Sequence, residues 1–229
     1  MKAMGVKWKP VSETSLILYL ADELDVKQAP LIGELAAFIK TEYAEVCEVT
    51  PSYTSILVQV SSPHVELDEL ANRITETIQS GMVSNSPHGK LVELPVYYHS
   101  DVAPDLEAAA HSCGLSTEEF IKIHTGRDYT VCAIGFAPGF AFLADVDPRI
   151  ALPRHAKPRA HVASGSVGIA GRQTAVYPAD SPGGWQLIGC CPTPLYYPEQ
   201  DPACPFKVGD KVRFIAIGLE EYVERGGHV

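Results

Sequence analysis

Apolar residues recur at two different periods along this chain, and the change of period divides it. In the first third, short strand-like runs alternate with helical stripes. Ser15 to Leu20 (SLILYL) is a continuous apolar run of the kind a buried strand shows. Leu31, Leu35 and Ile39 follow at i, i+4, i+8 and predict a helix from about Gln28, with Pro30 tolerable in its first turn. Ala44 to Val49 reads as a short strand. Thr54 to Val60 is a clearer one, with Ile56, Val58 and Val60 on one face. Leu67, Leu70, Ile74 and Ile78 predict a second helix over about Glu66 to Ser80, and Gly81 is placed to stop it. With Lys90 to Tyr97 as a candidate sixth element, the order is βαββαβ, the pattern of a ferredoxin-like sandwich.

Ser84 to Lys90 (SNSPHGK) is polar and turn-rich, and it separates a domain over residues 1–88 from a second over 89–229. Beyond it a short helix is expected from about Asp105, ending at Gly114. Ser116 with Glu119 three residues on carries a capping-box signature for another. From Tyr129 the period shortens to that of strands divided by Gly and Pro: YTVCAIGF, VGIA, TAVYP, WQLIG and KVRFIAI. Many short strands of this kind predict a barrel or a sandwich. Ser181-Pro182-Gly183-Gly184 fits a type II turn.

Composition narrows the function classes. With 46% hydrophobic and 20% charged residues the chain has the make-up of a folded globular protein, not a disordered one. A net charge of -10 argues against nucleic acid as a partner, because phosphate backbones need a dominant basic surface. No apolar run approaches the 18 or so residues that a membrane helix needs, and the opening MKAMGVKWKP lacks the apolar core of a secretory signal. The cysteines, at 47, 113, 132, 190, 191 and 204, form no CxxC pair and no zinc-like spacing with histidine. Free thiols in a reducing cytoplasm, and no metal site, are the expectation.

The candidate chemistry lies between Gly135 and Gly189. Acids are absent between Asp147 and Asp180, while Arg149, Arg154, Lys157, Arg159 and Arg172 fall in that interval with His155 and His161. Forked guanidinium donors among backbone-exposing glycines suit a carboxylate or phosphate. In Gly135-Phe136-Ala137-Pro138-Gly139-Phe140 the glycines permit close approach and the two phenylalanines can wall a pocket. Ser164-Gly165-Ser166 offers hydroxyls and open amides, the parts of an anion nest, but the glycine offsets are not those of a GxSxG nucleophile elbow. Cys190 and Cys191, with His155 or His161, allow a Cys/His pair on paper. Neighbouring strand residues face opposite ways, so at most one thiol should face a site. No GxGxxG or GxxxxGK[ST] loop is present, and no residue takes a catalytic role on sequence grounds.

The segments GFAPGFAFL, DPRIALPRHAKPR, ASGSVGIAG and QTAVYPADSPGGWQLIG together resemble the family of allophanate hydrolase subunit 1, whose members are also described as the B subunit of 5-oxoprolinase and as kinase A inhibitor-like proteins. The resemblance implies an α+β protein, a ferredoxin-like domain followed by a cyclophilin-like β-barrel. It implies a partnership with a large subunit, of the 5-oxoprolinase C type or the allophanate hydrolase subunit 2 type, and with a third 5-oxoprolinase subunit. That complex opens 5-oxo-L-proline to L-glutamate with ATP as co-substrate. It also implies two alternatives: an allophanate- or urea-type amide hydrolase subunit, and a regulator that docks on a sensor histidine kinase. Peptidyl-prolyl isomerase activity would rest on barrel shape alone. No biotin-accepting AMKM-type sequence occurs. The substrate-binding set expected is Phe136, Pro138, Gly139, Phe140, Arg154, Arg159, Gly165, Ser166, Gln173, Tyr177 and Trp185. Two positions depart from the family pattern. Ser164 stands in a stretch that usually reads VPAGSVGIAG, and Cys190 replaces the arginine of GRTP, which removes one permanent cation.

Overall fold

The computed structural model describes residues 5–81, 89–200 and 202–229. Two compact units, residues 1–89 and 90–229, make up the chain. Of the expected linker, residues 84–88 lie outside the described residues.

The first unit runs β1 (Lys7–Ser12), β2 (Ser15–Tyr19), a 3-10 turn (Val26–Gln28), α1 (Ala29–Glu42), β3 (Val46–Ser52), β4 (Ser55–Val60) and α2 (Leu67–Gln79). The strands form an antiparallel sheet in the order β1-β2-β4-β3. Period-two alternation sends Leu16, Leu18, Ile56 and Val58 to one face, where Leu35 and Ile39 of α1 and Leu70 and Ile74 of α2 bury against them. Three of the four strands are those the apolar runs predict. The fourth is not: the hairpin strand β1 occupies the edge beside β2 where a ferredoxin-like sheet receives its last strand, and Lys90 to Tyr97 goes elsewhere. β1 escapes a periodicity reading because five of its six residues are exposed, as suits a sheet edge, and Pro10 is tolerated there.

The second unit opens with β5 (Leu91–Tyr97), then α3 (Leu106–Ser112), α4 (Thr117–Thr125), β6 (Asp128–Ile134), β7 (Ala141–Ala144), a 3-10 turn (Pro148–Ile150), β8 (Arg159–Val162), β9 (Ser166–Ala170), β10 (Gln173–Val176), β11 (Ser181–Gly183), β12 (Gln186–Cys190), β13 (Lys211–Ile217) and α5 (Leu219–Glu224). Seven strands close a barrel in the order β10-β7-β6-β13-β5-β12-β9, and β8 and β11 form a separate ribbon. The strand pattern left barrel and sandwich open while the family resemblance implied a barrel; closure shows the barrel. β5 lies parallel to β13 along its whole length, from Leu91 opposite Lys211 to Tyr97 opposite Ile217. The buried carboxylate of Asp210 accepts the Lys90 amide at 3.0 Å and the Lys207 amide at 2.9 Å, which fixes where this strand pair begins.

Ser116 and Glu119 cap α4 reciprocally, as their spacing predicts. His124 of α4 is fully buried and bridges Tyr98 Oη (2.8 Å from Nδ1) and Thr174 Oγ1 (3.0 Å from Nε2). Thr174 donates to the Gly168 carbonyl at 2.9 Å, so its oxygen is left to accept from His124 Nε2–H, and Nδ1 accepts from Tyr98. Residues 181–183 are strand β11 and not the expected turn. Gly183 is needed there for space: a Cβ would lie 2.4 Å from Tyr177 Oη.

Candidate functional site

The ribbon β8–β11, the β6–β7 hairpin and the open ends of β9, β10 and β12 build two cavities that share Tyr177. The first, about 480 Å³, is aromatic. In the hairpin Gly135 N–H donates to the Phe140 carbonyl at 3.0 Å and Phe140 N–H to the Ala137 carbonyl at 3.0 Å. This tight closure puts Phe140 inside, edge-on to Phe142, Tyr177 and Trp185 with ring centroids 4.9, 5.4 and 5.7 Å away. Phe136 stays 66% exposed at the mouth with φ of 73°, a left-handed backbone that a phenylalanine adopts at a cost. Gln173 and Arg154 supply polar groups to this cavity, and Arg154 is its one cation among the described residues.

Arg154 sits on a braced loop. Gln186 Nε2 donates to the Pro153 carbonyl at 2.9 Å, and His155 N–H to the Gly184 carbonyl at 2.7 Å. His155 Nε2 lies 3.2 Å from Asp105 Oδ2. Asp105, expected merely to begin a helix, is nearly buried. It accepts the Leu187 amide at 2.7 Å and the Arg159 guanidinium at 2.5 Å. Burial opposes ionisation of this carboxyl, but the Leu187 amide, Arg159 and His155 outweigh it and hold Asp105 below its ordinary range.

The cation island of the sequence is therefore largely neutralised in space. Arg159, expected to bind substrate, is committed to Asp105 and lines neither cavity. Arg149 pairs with Asp147, and Arg172 makes two hydrogen bonds to Asp145. The acids that match these cations stand just before the acid-free interval or, for Asp105, far upstream. Arg154 alone of the four arginines has no ion pair among the described residues.

The second cavity, about 510 Å³, is lined by the Ala163–Ser166 turn, Cys190 to Leu195, Tyr222 of α5 and the chain end at Gly226 to His228, with Asp101 and Asp180. Gly165 has φ of +84°, and a Cβ there would meet the Cys191 carbonyl at 2.5 Å. Asp180 Oδ1 accepts the Ser164 amide at 2.8 Å, and its Oδ2 lies 3.1 Å from His161 Nε2. Both Cys190 and Cys191 line this cavity. The expectation that at most one would fails because β12 ends at Cys190 and strand alternation ends with it. Burial pushes the Cys191 thiol up to about 11 and raises Cys190 as well, so neither is a ready thiolate. His155 and His161 are turned to Asp105 and Asp180, and Ser164 Oγ donates to the Pro178 carbonyl at 3.0 Å.

Of the expected binding set, the aromatic cavity gathers Phe136, Phe140, Arg154, Gln173, Tyr177 and Trp185, and the second cavity takes Gly165 and Ser166. Pro138 and Gly139 line neither; Gly139 (φ +83°) lies so close to the Leu195 carbonyl that a Cβ would stand 2.6 Å from it. Sequence reading missed Phe142 and Gly171 in the wall and Asp105 behind it. Alternation from Phe140 points to Phe142, whereas nothing local to Asp105 announces a partner 54 residues away. Among the described residues no three His, Cys, Asp or Glu side chains are grouped to hold a metal, and no helix is long and apolar enough to cross a membrane.

The family model of the carboxyltransferase domain, subdomain C and D, matches residues 6–206. The chain is 35% identical to the 5-oxoprolinase B subunit of Bacillus subtilis over 227 residues, covering 93% of each protein. It is 33% identical to the 5-oxoprolinase B subunit of Haemophilus influenzae over 211 residues, covering 92% of this chain and 98% of that one. Among solved structures, that of TTHA0988 superposes with a TM-score of 0.77 at 27% identity over 93% of this chain; the chain spans 40% of that protein.

Proposed function

Because the chain belongs to the family of carboxyltransferase subdomains C and D, we propose that it is the B subunit of an ATP-dependent 5-oxoprolinase, one wall of an active site completed by partner chains. The observation that carries this reading is the near full-length likeness to 5-oxoprolinase B subunits. The aromatic cavity suits the substrate. 5-Oxoproline is a small flat lactam with one carboxylate. Phe140, Phe142 and Trp185 offer apolar faces to the ring, and Arg154 offers a forked donor to the carboxylate.

Among the described residues the cavity holds no pair of titratable groups that could divide acid and base roles, so the chemistry of lactam opening is assigned to a partner. The residues here do not fit ATP either. A triphosphate needs several cations or a nest of free amides, whereas one cavity offers a single guanidinium and the other two carboxylates. ATP is accordingly assigned to the large or the third subunit.

The test is co-expression with a large subunit of the 5-oxoprolinase C type and the third subunit, followed by assay of ATP-dependent glutamate release. Activity is expected from the assembled mixture and from no component alone. Robust release by the isolated chain overturns the non-autonomous reading. The exposed, strained Phe136 favours a second reading, a regulatory protein that docks on a histidine kinase. Absence of any complex or activity, together with capture of such a kinase, would favour it.

A further inference from the structure

Arg154 reaches the aromatic cavity from a loop, and a long side chain on a loop is held loosely unless the backbone beneath it is fixed. Three hydrogen bonds fix this one. Gly171 N–H donates to the Leu152 carbonyl at 2.6 Å, Gln186 Nε2 to the Pro153 carbonyl at 2.9 Å, and His155 N–H to the Gly184 carbonyl at 2.7 Å. The last two grip the chain on either side of Arg154, and their partners, Gly184 and Gln186, stand on either side of Trp185. The cation of the cavity is thereby held in register with its indole wall.

Two of these three ties join backbone to backbone and make no demand on side-chain identity. The third depends on one side chain. Strand alternation explains why Gln186 is free to make it. Trp185 and Leu187 are buried in the aromatic cluster, so the residue between them turns to the opposite face, where the Pro153 carbonyl lies. An apolar residue at 186 would leave that carbonyl to water and the backbone at Arg154 with one tie fewer.

We propose that Gln186 is a positioning residue for ligand binding: it touches no ligand, but by holding the Pro153 carbonyl it fixes the direction from which the Arg154 guanidinium meets a carboxylate in the aromatic cavity. The inference rests on the reading of that cavity as the 5-oxoproline site. A forked guanidinium–carboxylate pair needs two N–H groups aligned with two oxygens, so its strength depends on orientation as well as distance. Gln186 lies outside the cavity lining, so its replacement leaves the charge and the aromatic faces of the cavity in place. What it removes is pre-organisation, and a loop that must be ordered on binding lowers affinity.

The test is a double-mutant cycle in the complex assembled with the large and third subunits, read by calorimetric affinity and by KM and kcat for 5-oxoproline. Gln186→Met keeps the length of the side chain and loses the donor. It should raise Kd and KM about fivefold, the size of one neutral hydrogen bond, and leave kcat within about twofold. In an Arg154→Ala background the same substitution should change Kd and KM by less than about twofold, because the residue it positions is gone. A general structural defect would weaken both backgrounds alike. With Arg154→Ala itself weakened, equal losses from Gln186→Met in the two backgrounds, or none in either, overturn the proposal and leave the reading of the cavity standing. An Arg154→Ala variant that binds like wild type removes the cavity reading, and the positioning role with it. Should Gln186→Met not assemble, Gln186→Thr, a good strand residue too short to reach Pro153, carries the same expectation.

Discussion

Arg154 and Arg159 are separated by four residues and play opposite parts. Arg154 faces the aromatic cavity with no acid beside it, so Arg154→Ala should weaken binding of a small carboxylate by about 1.5–3 kcal/mol, the range for a hydrogen bond to a charged group. Arg154→Lys should recover only part, because an ammonium lacks the planar fork. Calorimetric titration of the assembled complex with 5-oxoproline checks both, and unchanged affinity in the alanine variant removes Arg154 from the site. Arg159→Ala should act on stability instead. It strips Asp105 of its guanidinium and leaves a buried carboxylate behind, at about 3 kcal/mol. A lowered urea midpoint with an unchanged slope is the expected result. Because the Asp105 carboxyl is held below its ordinary value near 3.8, its contribution is complete above that pH and disappears as the pH falls through the lower folded value. Wild type and Asp105→Asn should therefore begin to converge in stability as the pH falls below about 4 and meet only below the lower folded value.

At the scale of elements, His124 ties α4 to the barrel beside the buried Phe120. Full burial pushes His124 down to about 3, and it is neutral as it accepts from Tyr98 and donates to Thr174. An unfolded chain takes up a proton at this side chain near its ordinary 6.5, while the folded chain does not. His124 stability is thus complete above pH 6.5 and declines as the pH falls towards 3, by up to about 1.4 kcal/mol per pH unit. His124→Gln should be less stable at pH 7, since it leaves Tyr98 or Thr174 imperfectly paired, and should lose that part of the acid slope. Urea unfolding between pH 4 and 7 measures both; an unaltered slope would show that another group sets it. This contact could not be read locally. His124 occupies an apolar helix face, and Thr174 lies 50 residues further on.

For the whole molecule, the position of β5 makes the sharpest prediction. All seven barrel strands lie within residues 90–229, and β5 sits between β13 and β12. A fragment of residues 90–229 should unfold cooperatively, whereas residues 98–229 lack a central strand and should not fold. Circular dichroism during urea unfolding of the two fragments decides this. Cooperative folding of the shorter fragment would mean that the barrel closes without β5.

The sequence alone determined what depends on neighbours in the chain. The apolar runs of β2 and β4, the stripes of α1 and α2 and the Ser116–Glu119 cap are set by periods of two to four residues, and all appear where the pattern places them. Part of the aromatic wall was also legible: of the two phenylalanines expected to wall a pocket, Phe140 lies inside one and Phe136 stays exposed at its mouth. Other features belong to tertiary structure. Lys90 to Tyr97 reads as a strand in any context and falls beyond the 88/89 boundary, but its partner β13 begins 120 residues later, so its place in a sheet could be assigned only once that pair formed. The run of cations looked like one anion site because charge was counted along the chain. In space Asp105, Asp145 and Asp147 reach Arg159, Arg172 and Arg149 and leave Arg154 unpaired. Electrostatic pairing acts across a few ångströms whatever the sequence separation, and for that reason the fold and not the spacing decides which arginine remains open to a ligand.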